Sequence, residues 1–202
     1  MKTMGFLHKA ALCGATAMLA AASATSATAQ GDDLIKNGNF EQPHVPMHVV
    51  HPVSKDYGGQ IPHWELVGGS VMIYGVGIAD TSRQVLNLNG NFGPGIIAQT
   101  FSPPLGKKVT ILWEHARNTT SDCPTEKTTD EKYTATVEST QTKHVVATGD
   151  YNTGVIPGRL DPVTDGLTFT AKEYAYTLTL ASRVPGACGA LITGIHSVVG
   201  NP

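Results

Sequence analysis

Leu34-Ile35-Lys36-Asn37-Gly38-Asn39-Phe40-Glu41-Gln42-Pro43 is the stretch on which the reading of this chain turns. Two apolar residues lead into Asn-Gly, a pair that tolerates left-handed backbone, and Phe40 follows as a residue for a core. Residues 34–40 are therefore expected to form an opening β-strand, bulged or sharply turned before Phe40 enters the interior. Glu41 then falls beside carbonyls at an irregular bend, a setting that holds hard cations such as calcium. A polar residue at a strand end is the plainer alternative.

What precedes this stretch has the form of an export signal. Lys2 and Lys9 are positive, Ala10 to Ala22 is small and apolar, and Ala27-Thr28-Ala29 makes a small-x-small cleavage site before Gln30. The apolar run is shorter than the roughly 20 residues that span a bilayer. Cys13 follows Leu12 where a lipidation signal places a small residue, so a lipid anchor is not expected. The expectation is a signal peptide over 1–29 and one secreted, extracellular domain over 30–202, with no membrane span. About 173 residues are enough for one real core. All 16 acidic residues lie past residue 29, while Lys2 and Lys9 belong to the 14 basic ones, leaving a net charge of about −4. No cluster of Lys and Arg occurs, which argues against a nucleic-acid partner.

Downstream, apolar and polar residues alternate with a period of two between Gly, Pro, Asn and Asp. Leu86 and Leu88, then Val109, Ile111 and Trp113, then Tyr133, Ala135 and Val137 each mark one apolar face. Leu167 with Phe169, and Tyr176 with Leu178 and Leu180, do the same, and threonines crowd the opposite faces. With 34–40, 70–75, 95–101, 142–149 and 190–199, the count reaches about ten strands and no helix. That is an all-β antiparallel sandwich or barrel. Cys123 and Cys188, past the leader, read as a disulfide; two free thiols are the alternative, and a metal site would need more soft ligands. Closing that loop contributes roughly 4 kcal/mol by loop-closure entropy. The pairing also requires the strand ending near Asn118 and the strand starting near Ala190 to share one end of the sandwich.

Four separated segments resemble one family. Asn37-Gly38-Asn39-Phe40-Glu41 is similar to its opening motif, and Ile61-Pro62-His63-Trp64 with Gly69-Ser70-Val71 to its second. Leu86-Asn87-Leu88-Asn89-Gly90 with Pro94-Gly95-Ile96-Ile97-Ala98-Gln99-Thr100-Phe101 resembles its third, and Pro185-Gly186-Ala187-Cys188-Gly189-Ala190-Leu191 its closing run. The family is choice-of-anchor C, related to the plant cell-wall proteins of domain of unknown function 642. The resemblance implies a galactose-binding-like jelly-roll sandwich, exported and associated with polysaccharide or cell walls. It also implies that Glu41 and a closing Asp help hold a structural calcium; here that Asp is Thr193, a weaker neutral ligand. No cofactor is required by anything else in the chain. Arg117 stands where the family has Gly, next to the matching Asn118.

Several constellations remain. His44, His48 and His51 can hold zinc or copper with outside help, but Pro43, Pro46 and Pro52 forbid a helix, and a solvated loop before Trp64 is the default. Trp64 and Trp113 read as core anchors, whereas Tyr57, Tyr74, Phe92 and Tyr151 lie nearer turns and suit exposed contact. Glu114, Arg117 and Asn118 combine carboxylate, guanidinium and amide, a set that grips sugar hydroxyls; a rim salt bridge beside a turn is the alternative. Asn118-Thr119-Thr120 is a glycosylation sequon, discounted because the leader looks bacterial. No nucleophile elbow, zinc-protease motif or phosphate loop occurs, and nothing pairs Glu41, Glu65, Glu114 or Asp80 as glycosidase carboxylates. The chain therefore reads as a non-catalytic module whose partner is a cell-wall or extracellular polysaccharide, or else as an envelope structural module with a protein partner.

Overall fold

The alternating segments pair into two stacked antiparallel sheets. A computed structural model describes residues 33–56, 58–123, 131–153 and 161–201, so the expected leader lies outside the described residues. The first strands are β1 (Val50–Ser54), β2 (Glu65–Gly68), β3 (Ser70–Tyr74), β4 (Val85–Asn87), β5 (Asn89–Gly90), β6 (Gly93–Pro94) and β7 (Ile96–Phe101). They are followed by β8 (Lys108–Ala116), β9 (Lys132–Ser139), β10 (Val145–Asn152), β11 (Asp161–Thr170), β12 (Tyr176–Ser182) and β13 (Leu191–Gly200). One sheet runs β1-β3-β4-β13-β8-β11, the other β10-β9-β12-β7-β2, and β5 with β6 forms a short ladder. This is an all-β sandwich with one disulfide, as the alternation predicts.

The inward residues of both sheets make one core. Trp113 and Ile111 of β8 meet Tyr133, Ala135 and Val137 of β9 and Leu178 and Leu180 of β12, all at most 1% exposed. The outward residues are threonines that pair across strands: Thr100 with Thr177 at 3.2 Å, Thr136 with Thr148 at 3.2 Å, and Thr110 with Thr168 at 3.0 Å. β3 is buried on both sides because Met72 and Tyr74 point outward under Ile78 and Ala79, forming a second cluster with Val85, Ala116 and Leu191.

Two expectations about the first third of the chain are corrected. Residues 34–40 are not a strand but a chain of bends. Side-chain amides replace the β-ladder there. Gln99 accepts from the Lys36 N–H at 2.7 Å and donates to its carbonyl at 2.8 Å. Gln84 donates to the Phe40 carbonyl at 2.6 Å and accepts from the Val45 N–H at 2.6 Å. The left-handed residues are Asn37 (φ 50°) and Phe40 (φ 55°), not Gly38. Gly38 is required for another reason, since a Cβ there would run into the Ile195 carbonyl. The second correction concerns the histidine-rich segment, which is not all loop. Val50–Ser54 is an edge strand, and Pro52 is tolerated in it because an edge has a side without ladder bonds.

The disulfide sits where the two strand ends were expected to meet. β8 and β13 are antiparallel neighbours with Ala116 opposite Leu191, and Cys123 and Cys188 close beyond them with Cα atoms 5.6 Å apart. Asn87 and Asn89 draw the segment carrying Cys188 against the sheet. Asn87 donates to the Ala187 carbonyl at 2.9 Å and accepts from the Gly189 N–H at 3.1 Å. Asn89 donates to the carbonyls of Val184 at 2.9 Å and Gly186 at 2.7 Å. A Cβ at Gly189 would collide with the Asn89 amide.

Candidate functional site

Alternation along β9 and β10 builds a recess at one end of the five-stranded sheet. Lys132 and Asn152 face one another outward at the strand ends, while Tyr133 and Tyr151 face one another inward. Arg183 follows β12 and donates its N–H to the Lys132 carbonyl at 2.8 Å. Together with Asp150 these side chains line a recess of about 330 Å³. Tyr151 is half-buried, stacked on Tyr133 (ring centroids 5.3 Å, 20°) and edge-on to Trp113 at 5.0 Å. Its hydroxyl donates to the Gly166 carbonyl at 3.0 Å, tying β10 to β11 across the sandwich. Asp150 accepts the Thr134 hydroxyl at 2.7 Å.

A buried polar layer backs the recess. Burial, with the Asp165 charge beside it, pushes the Tyr133 phenol far above its ordinary range, so the hydroxyl keeps its proton. It accepts from Trp113 Nε1 at 2.7 Å and gives that proton to His115 Nδ1 at 2.6 Å. His115 Nε2 then carries hydrogen and faces Asp165 Oδ2 at 3.1 Å. Next to it Glu131, 1% exposed, accepts from the Asn118 N–H at 2.8 Å. Burial raises its carboxyl to about 7, against the opposing pull of the Asn118 hydrogen bond and the Arg117 charge.

The residues expected to grip a ligand are divided between interior and surface. Glu114 lies half-buried on the outer face of the six-stranded sheet, paired with Arg83 at 3.3 Å. Arg117 and Asn118 are 3% and 0% exposed. Asn118 Nδ2 donates to the Tyr74 hydroxyl at 3.1 Å, and its Oδ1 accepts from Thr120, so the sequon amide is committed inside the fold. Tyr74 is also interior, at 4% exposed, and burial raises its phenol. Tyr57 lies outside the described residues. Phe92 is exposed at the turn between β5 and β6.

The expected metal ligands do not converge. Glu41, His44 and His48 are exposed, the His48 ring lies against Gly77, and His51 sits on β1. Among the described residues no three His, Cys, Asp or Glu side chains are grouped as a metal would require. Thr193 is fully buried; its hydroxyl donates to the Gln84 carbonyl at 3.2 Å and faces the Asn39 carbonyl at 3.5 Å. The Gln84 carbonyl is thus held by a neutral O–H, with the Asn39 carbonyl beside it, and Glu41 is exposed. This donor set does not fit calcium.

Three other recesses among the described residues are less suited to a ring-shaped ligand; the first, of about 690 Å³, has Phe169 and Tyr176 in its lining, but these are only 7% and 1% exposed. A second, of about 540 Å³, lies beside Trp64, whose indole is 7% exposed and packed on Phe40 at 5.6 Å. A third, of about 380 Å³, is lined by Thr119, Thr120 and Asp122 over the buried Tyr74. The recess at Tyr151 combines a half-buried aromatic ring with converging charged and amide groups. Lys132, Asp150, Asn152 and Arg183 escaped the sequence reading because only the pairing of β9 with β10 and β12 assembles them.

Two solved structures that share this fold were determined with sugars bound. The module TmCBM61, solved in complex with β-1,4-galactotriose, superposes with a TM-score of 0.55 at 12% identity, over 83% of this chain and 99% of that one. The α-L-arabinofuranosidase MgGH51, solved with arabinose bound, gives 0.51 at 12% identity over 83% of this chain, which spans 26% of the enzyme. At such identity the likeness shows the fold alone. No family model and no curated protein matches the chain.

Proposed function

We propose that this protein is an exported, non-catalytic module that binds a carbohydrate chain at the Tyr151 recess. The observation that carries the reading is a half-buried tyrosine face in a 330 Å³ recess ringed by Lys132, Asp150, Asn152 and Arg183. Aromatic faces pack on the apolar faces of sugars, and converging polar side chains fix hydroxyl orientation. The threonine-covered outer face of the five-stranded sheet extends from the same strands and supplies further hydroxyls. The similarity in fold to a module solved with a galactotriose supports the same reading. A disulfide in the fold supports an oxidising, extracytoplasmic setting, as does the leader. Kinship with the choice-of-anchor C family is supported by the joint work of its motif residues, Asn87, Asn89 and Gln99, in holding distant segments together.

A non-catalytic role is favoured because the polar groups suited to acid–base work are already engaged. Tyr133 spends its proton on His115 and His115 its own on Asp165, and Glu65 and Glu114 occupy the outer faces of different sheets. Calcium is not needed in this reading, since the Thr193 hydroxyl holds the Gln84 carbonyl. Calorimetric titration with β-1,4-galactan and with cell-wall polysaccharides, repeated in excess chelator, tests all of this. Weak binding unaffected by chelator and abolished by Tyr151→Ala is expected. A clean panel, with a protein captured from the envelope instead, would replace the glycan with a protein partner.

A further inference from the structure

At the end of the sandwich opposite the Tyr151 recess, where β9 finishes and β12 begins, three loops bond to one another. The β7–β8 turn meets residue 171: the Gly106 N–H donates to the Ala171 carbonyl at 2.7 Å, and the Ala171 N–H to the Lys107 carbonyl at 2.9 Å. The β9–β10 hairpin meets residues 173–175. There the Thr140 N–H donates to the Ala175 carbonyl at 3.1 Å, and the Ser139 and Thr142 hydroxyls donate to the Glu173 carboxylate. This stitching makes one tip, and it carries two kinds of exposed side chain. Tyr174, Leu105 and Val145 are 67%, 46% and 42% exposed. Lys107, Lys108, Lys143 and Lys172 stand on the same segments against two acids, Glu138 and Glu173. Glu138 faces Lys143 at 3.9 Å, Glu173 is held by the two hydroxyls, and among the described residues Lys108 and Lys172 have no ion-pair partner. The tip is thus basic in a chain whose net charge is −2.

We infer that this tip docks on an anionic lipid bilayer and holds the opposite end of the sandwich away from it. The mixture of side chains decides the partner. A polyanionic polysaccharide would satisfy the lysines and leave Tyr174, Leu105 and Val145 in water. A bilayer interface takes both kinds: apolar side chains enter the boundary of headgroups and acyl chains, a tyrosine keeps its hydroxyl at headgroup level, and lysines reach the lipid phosphates. Apolar surface also continues from the tip into the fold. The recess of about 690 Å³ between the hairpin and the segment after β11 has Val145, Val146 and Phe169 in its lining, together with Lys172 and His144. A bulge between Val145 and Ala147 brings both consecutive valines into that lining.

The test is co-sedimentation of the chain from Gln30, which leaves out the apolar leader, with two kinds of vesicle: phosphatidylglycerol mixed with phosphatidylcholine, and phosphatidylcholine alone. Binding to the anionic vesicles, weakening as salt is raised, is the expected result. Lys108→Ala and Lys172→Ala should each lower it about fivefold at low salt. Leu105→Ser combined with Tyr174→Ser should lower it at every salt concentration, with the circular dichroism of the fold unchanged. Lys55→Ala deletes the same charge away from the tip, where its Nζ donates to the Val67 carbonyl at 3.1 Å, and should have no effect. No sedimentation, equal sedimentation with both vesicles, or sedimentation that the tip variants leave unchanged overturns the inference. A third probe, a sulfated galactan, separates the rival. If the lysine variants weaken its binding while the Leu105 and Tyr174 changes alter nothing, the tip is a polyanion site and the bilayer is overturned as well.

Discussion

Glu131 is the residue whose chemistry is most at odds with its surroundings. Its carboxyl is buried, one oxygen accepts from the Asn118 N–H, and its folded value of about 7 lies above the ordinary 4.5. Between those two values the folded chain holds a proton that the unfolded chain has released. Linkage then gives the sign: stability falls as pH rises from about 4.5 to about 7, and flattens above. The full effect is on the order of 3 kcal/mol from this group. Urea unfolding across that range should show the decline, and Glu131→Gln, which is always neutral and keeps an acceptor for Asn118, should flatten it. The same slope in both proteins would assign it elsewhere.

At the scale of elements, Gln99 explains how the opening segment stays in place without being a strand. It occupies an inward position of β7, between Ile97 and Phe101, where alternation predicts an apolar side chain. From there it pairs with both backbone groups of Lys36, as a neighbouring strand would. Gln99→Leu fills the volume but orphans those groups, at about 1–3 kcal/mol for each one left buried. Hydrogen exchange should quicken at residues 35–40 while β9 and β12 stay protected; uniform protection would mean the amide contributes little. The longer strands were legible because one face is apolar and the other threonine. β1 was not, since an edge strand with His51 and Pro52, exposed at Val50 and Pro52 and buried at both Val53 and Ser54, has no such signature. β2 was missed because four residues interrupted by a register shift cannot establish a period. The recess was legible only through Tyr151. Parity along a strand shows which residues point outward, but not that Arg183 will stand against Lys132.

For the whole molecule, the disulfide and the asparagine clamp act on one junction, where β8 and β13 end beside each other. Asn87 and Asn89 fasten residues 184–189 to β4 and β5, and Cys188 joins that segment to Cys123 beyond β8. The crosslink spans 65 residues, which include β9 to β12 and therefore most of the five-stranded sheet and every side chain lining the recess. Opening it enlarges the conformational freedom of that whole block in the unfolded state, at a cost of about 4 kcal/mol. In the folded state the hydrogen bonds of Asn87 and Asn89 continue to hold the segment. The double variant Cys123→Ser with Cys188→Ser should therefore unfold at markedly lower denaturant, yet bind the same glycan with unchanged affinity wherever it remains folded. Loss of binding in the folded double variant would show instead that the crosslink shapes the recess, and that the clamp alone cannot keep β9 and β12 in register at that end.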